Sequence, residues 1–83
     1  MKKEIIVHMN DGMEPRPIAL LVQTANRYGS QIYLNMKDKH VNAKSIMGMM
    51  SLALLNGECV TIEAEGEDSE MAVAEIERFL TQA

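Results

Sequence analysis

A chain of 83 residues, 47% of them hydrophobic, has the size and composition of one globular domain, residues 1–83, and not of a disordered segment. The net charge of -4 and the scattered Lys and Arg residues argue against a nucleic-acid-binding surface, and no apolar run is long enough to span a membrane. The single cysteine, Cys59, excludes an intramolecular disulfide, and its strand-like setting predicts a buried, inert thiol. Without a signal peptide, the chain is expected in the cytoplasm.

The first half of the chain alternates between strand and helix patterns. Residues 3–9 alternate as in a strand, and Asn10-Asp11-Gly12 predicts a turn. From Pro15 or Arg16 a helix follows up to Gly29, with one apolar face formed by Ile18, Leu21, Val22 and Ala25. Residues 31–36 and 40–42 predict a β-hairpin around a polar connection.

The second half predicts a short helix, a strand and a longer helix. Ser45 is expected to cap a helix that runs to about Leu52 or Leu54. Residues 58–64 form the clearest strand pattern, and 66–69 turn the chain and provide a further helix N-cap. The last helix carries an apolar stripe formed by Ala72, Val73, Ile76, Phe79 and Leu80.

The resulting order is βαββαβα. Alternating strands predict a sheet with one buried face, which the helices should cover. We therefore predict an α+β fold, a two-layer open-faced β-sandwich with a four-stranded, mostly antiparallel sheet and three helices on one face.

The stretch 42–52 stands out because a serine precedes an unusually Met-rich apolar run. Ser45 has the position of a helix N-cap, which by itself needs no further function. The apolar side chains that follow could form part of the core or an adaptable surface for a partner, since Met fits many surfaces.

The chain contains two motifs, Gly12-Met13-x-x-Arg16-Pro17 and Lys44-Ser45-Ile46-Met47-Gly48-x-Met50-Ser51-Leu52, and a third segment, Gly66-Glu67-Asp68. With these segments in this order, the whole chain resembles the HPr family. HPr proteins are the small phosphocarriers of the bacterial sugar phosphotransferase system. The second motif resembles the form in low-GC Gram-positive bacteria, whose serine is phosphorylated by HPr kinase/phosphorylase.

Glu14 occupies the position at which the family carries its phosphorylated histidine. It brings a negative charge where the phosphoryl group should lie, and Pro15 and Pro17 have no N–H groups to hold a phosphate there. The resemblance therefore implies a protein that does not transfer phosphoryl groups through histidine. Glu14 could instead cap a helix, or imitate a phosphorylated histidine.

Loss of the histidine with retention of the serine is similar to the Crh-type branch of the family, in which glutamine replaces the histidine. The resemblance implies regulatory phosphorylation on Ser45 and a partner surface of Arg16, Ile46, Met47 and Met50. The implied partners are HPr kinase/phosphorylase and the catabolite control repressor. Alternatives are a working phosphocarrier of the sugar system and an HPr-like module recruited to an unrelated partner.

Enzymatic activity is not expected, since the sequence has no nucleophile–base pair, metal cluster or phosphate-binding glycine loop. His8 and His40 are interpreted as surface strand residues, and neither a metal nor a cofactor is implied. The sequence leaves the oligomeric state open, with a weak homodimer as one expectation.

Overall fold

The computed structural model describes residues 1–8, 15–52 and 57–81, and of residues 15–17 it describes the backbone. Strands and helices follow one another in the predicted order. Their bounds are β1 Lys2–Ile6, α1 Pro15–Ala25, β2 Gln31–Met36, β3 Lys39–Asn42, α2 Ile46–Met50, β4 Cys59–Glu65 and α3 Ser69–Leu80.

The four strands form one sheet in the order β1-β4-β2-β3. The three neighbouring pairs are all antiparallel, with Ile5 opposite Val60, Leu34 opposite Ile62, and Leu34 opposite Val41. The strand that comes last in the chain thus lies inside the sheet, while β1 and β3 form its edges. The predicted α+β open-faced sandwich is confirmed.

The core lies between the inner face of the sheet and the helices. Alternate strand residues face this layer, and α1 and α3 contribute the apolar stripes that their helical spacing predicted, with Phe79 only partly buried. The buried set includes Ile5, Val7, Ile32, Leu34, Met36, Val60, Ile62 and Ala64 from the strand segments and Ile18, Leu21, Val22, Ala25, Ala72, Val73, Ile76 and Leu80 from α1 and α3. Helix α1 packs against both α2 and α3.

The outer face of the sheet is open, and this corrects the prediction of a buried Cys59. Cys59 is exposed, because β4 directs Val60, Ile62 and Ala64 inward and therefore Cys59 outward. A side-chain hydrogen bond to Glu4, with partial desolvation and the charge of Glu4, raises the pKa of the thiol. The prediction of a thiol with low reactivity is therefore consistent with the structure, but burial is not the cause.

Several elements end earlier than the sequence pattern suggested. Helix α1 ends at Ala25, four residues before Gly29, because its hydrogen bonds change from i−4 to i−3 carbonyls at Arg27 and Tyr28. Strand β1 ends at Ile6 instead of residue 9, although Val7 still bonds to Glu58 and Gly57. Helix α2 ends at Met50, followed by a turn.

A polar contact joins the loop after α1 to the start of α3. The Asp68 carboxylate accepts hydrogen bonds from the backbone N–H groups of Gly29 at 2.9 Å and Ser30 at 3.0 Å, and from the Ser30 hydroxyl. The hydroxyl of Ser30 and these N–H groups lower the pKa of Asp68. We call these three residues the Asp68 junction.

Among the described residues, no helix combines the length and the hydrophobicity that crossing a bilayer requires.

Candidate functional site

Ser45 lies at the connection between β3 and α2. The buried Ala43 holds this connection to the sheet, since its N–H donates to the Ile32 carbonyl at 2.9 Å. Asn42 then shapes the turn, because its side-chain oxygen accepts from the Lys44 N–H at 2.8 Å and its carbonyl accepts from the Ser45 N–H at 3.0 Å. The local sequence thus fixes the direction in which the chain enters α2.

The Ser45 hydroxyl caps helix α2, as predicted. Ser45 has an extended backbone, with φ −101° and ψ 115°, and its Oγ accepts a hydrogen bond from the Gly48 N–H at 3.1 Å. This is the usual N-cap geometry, in which a side-chain oxygen satisfies one of the free N–H groups of the first turn. The side chain is half-buried, so its oxygen is held in place but not enclosed.

Two side chains fasten this connection to the end of α1. The Lys44 ammonium group donates to the Tyr28 carbonyl at 2.7 Å. The Asn26 amide group donates to the Val22 carbonyl at 2.9 Å and to the Lys44 carbonyl at 3.4 Å. The serine is therefore positioned by backbone and side-chain bonds on both sides of the connection.

Helix α2 divides its apolar residues between core and surface. Met49 is fully buried and Leu52, just after the helix, is 3% exposed. Ile46, Met47 and Met50 remain 43%, 81% and 54% exposed. We call Ser45 and these three exposed side chains the Ser45 face, on which a polar hydroxyl adjoins apolar side chains that the described residues leave exposed.

The chemistry available at the Ser45 face is that of an alcohol. The first turn of α2 contains no acidic residue, and its last turn contains no basic residue. Within the parts of the chain that the structure describes, the hydrogen-bond partner of Ser45 Oγ is a backbone N–H and not a base.

The remaining site predictions fall outside this geometry. Glu14 lies outside the described residues. The backbone of Arg16 forms part of α1, and its side chain lies outside the described part of the structure. Sequence interpretation missed the roles of Asn26 and Lys44, which join segments 18 and 16 residues apart in the chain. In the described ranges, no group of three or more His, Cys, Asp or Glu residues is arranged to hold a metal ion.

Comparison with known proteins places residues 1–82 under the family model PTS-HPr, described as the PTS HPr component phosphorylation site. The HPr-like protein Crh of Halalkalibacterium halodurans is 42% identical over 80 residues, which cover 96% of this chain and 95% of that protein.

Solved structures are similar over nearly the same range. The phosphocarrier protein HPr from Bacillus anthracis matches with a TM-score of 0.91 and 42% identity, covering 96% of this chain and 95% of that chain. Crh of Bacillus subtilis, a catabolite-repression protein crystallised as a domain-swapped dimer, matches with a TM-score of 0.76 and 45% identity, covering 92% and 87%.

Proposed function

The chain belongs to the HPr family, and we propose that within it the chain acts as a Crh-type regulatory protein of carbon catabolite control. It works in the cytoplasm, is phosphorylated on Ser45 by HPr kinase/phosphorylase, and acts by binding the catabolite control repressor. It has no catalytic turnover of its own and no histidine phosphotransfer.

The observation that carries this proposal is the Ser45 face. A positioned hydroxyl, held by the Gly48 N–H at 3.1 Å, lies next to side chains that are 43–81% exposed. Apolar exposure of this kind is typical of a binding surface. Phosphorylation would add roughly 1.5 to 2 negative charges beside this surface and supply acceptors for an Arg-bearing partner. The modification thus changes what the face can bind.

The sequence around Glu14 supports a regulatory function over a phosphocarrier function. A carboxylate replaces the imidazole that would accept the phosphoryl group, and Pro15 and Pro17 have no N–H to donate. Similarity to a phosphocarrier such as the Bacillus anthracis protein is the observation that favours the alternative. Both activities are therefore tested in parallel on the same protein preparation.

The experiment is a pair of incubations followed by intact mass measurement. One sample receives ATP and HPr kinase/phosphorylase, and the other receives phosphoenolpyruvate and the first enzyme of the sugar system. We expect one added phosphate in the kinase sample and none in the other. Ser45→Ala is the control and should take no phosphate; because loss of a cap costs only about 1 kcal/mol, this variant should still fold.

The other outcomes decide between the alternatives. A phosphate gained only from phosphoenolpyruvate would identify a phosphocarrier, and hydroxylamine would release it if it were an acyl phosphate on Glu14. No gain in either sample would favour an HPr-like module with another partner.

Binding is tested by removing exposed apolar groups. Met47→Ala should weaken binding of the protein to the kinase and, after phosphorylation, to the repressor, because the side chain belongs to the Ser45 face. Met71→Ala is the matched control, since Met71 is 66% exposed on α3, outside this face. Equal binding by both variants would contradict the assignment of the Ser45 face. Arg16→Ala tests the remaining predicted partner contact in the same assay.

Self-association is a further part of the proposal. The dimer of Bacillus subtilis Crh supports a weak homodimer, which concentration-dependent light scattering would detect.

A further inference from the structure

Gly48 is the middle residue of the five-residue helix α2. Glycine weakens a helix relative to alanine, because its backbone loses more freedom on folding. The backbone here does not require it, since Gly57 and Gly66 are the glycines of the described chain with a positive φ. Alanine could adopt the same conformation, so local structure does not explain this glycine.

The surroundings of Gly48 indicate another reason. A Cβ built at this position would lie 3.4 Å from Ser45 Oγ, 3.5 Å from Ser45 Cβ and 3.8 Å from the Asn42 carbonyl oxygen. These are ordinary van der Waals distances, so a methyl group would fit beside the unmodified serine. It would, however, cover one side of the hydroxyl that the proposed kinase must reach.

We infer that Gly48 is a specificity-determining residue for phosphorylation, whose missing side chain leaves Ser45 Oγ open to the phosphoryl donor. This inference rests on the proposed function. In the reaction, Ser45 Oγ forms a bond to the γ-phosphorus of ATP while the bond from that phosphorus to the bridging oxygen of ADP breaks. ADP leaves with the electron pair, and a base of the kinase takes the hydroxyl proton.

The geometry of this step explains why a small group matters. One lone pair of Ser45 Oγ is already occupied by the Gly48 N–H at 3.1 Å. In-line transfer needs a free approach to the remaining lone pair, followed by room for the phosphate oxygens. A side chain on Gly48 would occupy space directly beside that oxygen, and a longer one would occupy more of it.

The test compares Gly48→Ala and Gly48→Leu with the wild type in steady-state phosphorylation by HPr kinase/phosphorylase. We expect kcat/KM to fall about tenfold for alanine and further for leucine, mainly through kcat, since small misplacements of reacting groups have large effects. The melting temperature should stay the same or rise, because both residues favour helix.

Gly29→Ala is the matched control. It is also a glycine without a positive φ, and a Cβ there would meet nothing within 4 Å. Its phosphorylation should equal that of the wild type.

Failure of the proposed function and failure of this inference give different results. If the wild type takes no phosphate on Ser45, the proposed function itself fails. If the wild type is phosphorylated and both Gly48 variants match its kcat/KM, Gly48 has no such role. A variant that is phosphorylated more slowly and also has a lower melting temperature would overturn the inference too, because the lower kcat/KM would then result from a destabilised fold.

Discussion

Helices α2 and α3 both begin after a small polar residue, but the two side chains bind different groups. Ser45 caps its own helix through the Gly48 N–H at 3.1 Å. Asp68 makes no side-chain cap bond, although the sequence predicted one in this turn. Its carboxylate instead binds Gly29 and Ser30, which lie 39 and 38 residues earlier.

The difference follows from how each helix is held. The twelve residues of α3 bury four side chains, so packing fixes the helix and leaves Asp68 available for a distant loop. The five residues of α2 bury only Met49, and most of their apolar surface remains open. The Asp68 junction therefore serves the fold, whereas the Ser45 face is available for binding. Three stability measurements test this division.

The largest effect is expected for Gly66→Ala, beside the Asp68 junction. Gly66 has φ +147°, and a Cβ there would lie 2.5 Å from Ser30 Oγ and 2.8 Å from Ser30 Cα. Since part of this clash is with backbone, the junction must open, and we expect a loss of more than about 3 kcal/mol in the free energy of unfolding. Urea unfolding followed by circular dichroism measures it.

Gly57→Ala separates backbone strain from this clash. Gly57 also has a positive φ, +91°, but a Cβ there would meet nothing within 4 Å. We expect a cost of about 1–2 kcal/mol, from strain alone. Equal losses for the two variants would show that contact with Ser30 does not matter, which would contradict the structural role of the junction.

An intermediate effect is expected for Met49→Ala, which removes the buried anchor of α2. Met49 is 0% exposed, and truncation of a buried Met costs about 2–5 kcal/mol. Met50→Ala, at the next position and 54% exposed, should change stability by less than about 0.5 kcal/mol. The same unfolding experiment compares them. Similar losses would mean that α2 does not divide its methionines between core and surface.

Periodicity in the sequence was sufficient to predict most of the fold. In β2 the alternating apolar residues Ile32, Leu34 and Met36 are the buried ones, and the apolar stripe of α3 predicted the buried face of that helix. These patterns record burial directly, because side chains repeat every two residues in a strand and every 3.6 in a helix. Met47 and Met50 are three residues apart in α2 and therefore share one side of the helix, and both side chains are exposed.

Contacts between distant residues could not be predicted in this way. An aspartate before a helix has the local pattern of a cap, and nothing near Asp68 in the sequence points to Ser30. The prediction of a buried Cys59 disagreed with the predicted open-faced sheet: with Val60, Ile62 and Ala64 on the buried face of β4, Cys59 lies on the open outer face. The prediction for Glu14 rests on the sequence motif alone, because this residue lies outside the described range.

The smallest effect is expected from pH, through the ionisation of Asp68. Its pKa in the folded protein is lowered by the Ser30 hydroxyl and by the N–H groups of Gly29 and Ser30. The stabilisation that comes from a lowered pKa is fully present at pH values above the pKa of Asp in the unfolded chain, about 3.9. It is lost as the pH falls from there through the pKa of Asp68 in the folded protein. Asp68→Asn cannot ionise, so the stability difference between wild type and variant should be constant above about pH 5 and shrink below about pH 4.

Ser30→Ala tests whether the hydroxyl is the cause. Since the Ser30 hydroxyl contributes most to the lowered pKa, its removal should raise the pKa of Asp68 toward the ordinary value. The loss of stability that Asp68 causes in acid should then be smaller in this variant than in the wild type, and it should be complete at a higher pH. Urea unfolding over a pH series, with NMR titration of the Asp68 carboxyl, measures both quantities. A difference between wild type and Asp68→Asn that stays constant down to about pH 2 would mean that the junction gains nothing from the charge, and Asp68 would then be equivalent to any neutral hydrogen-bond acceptor.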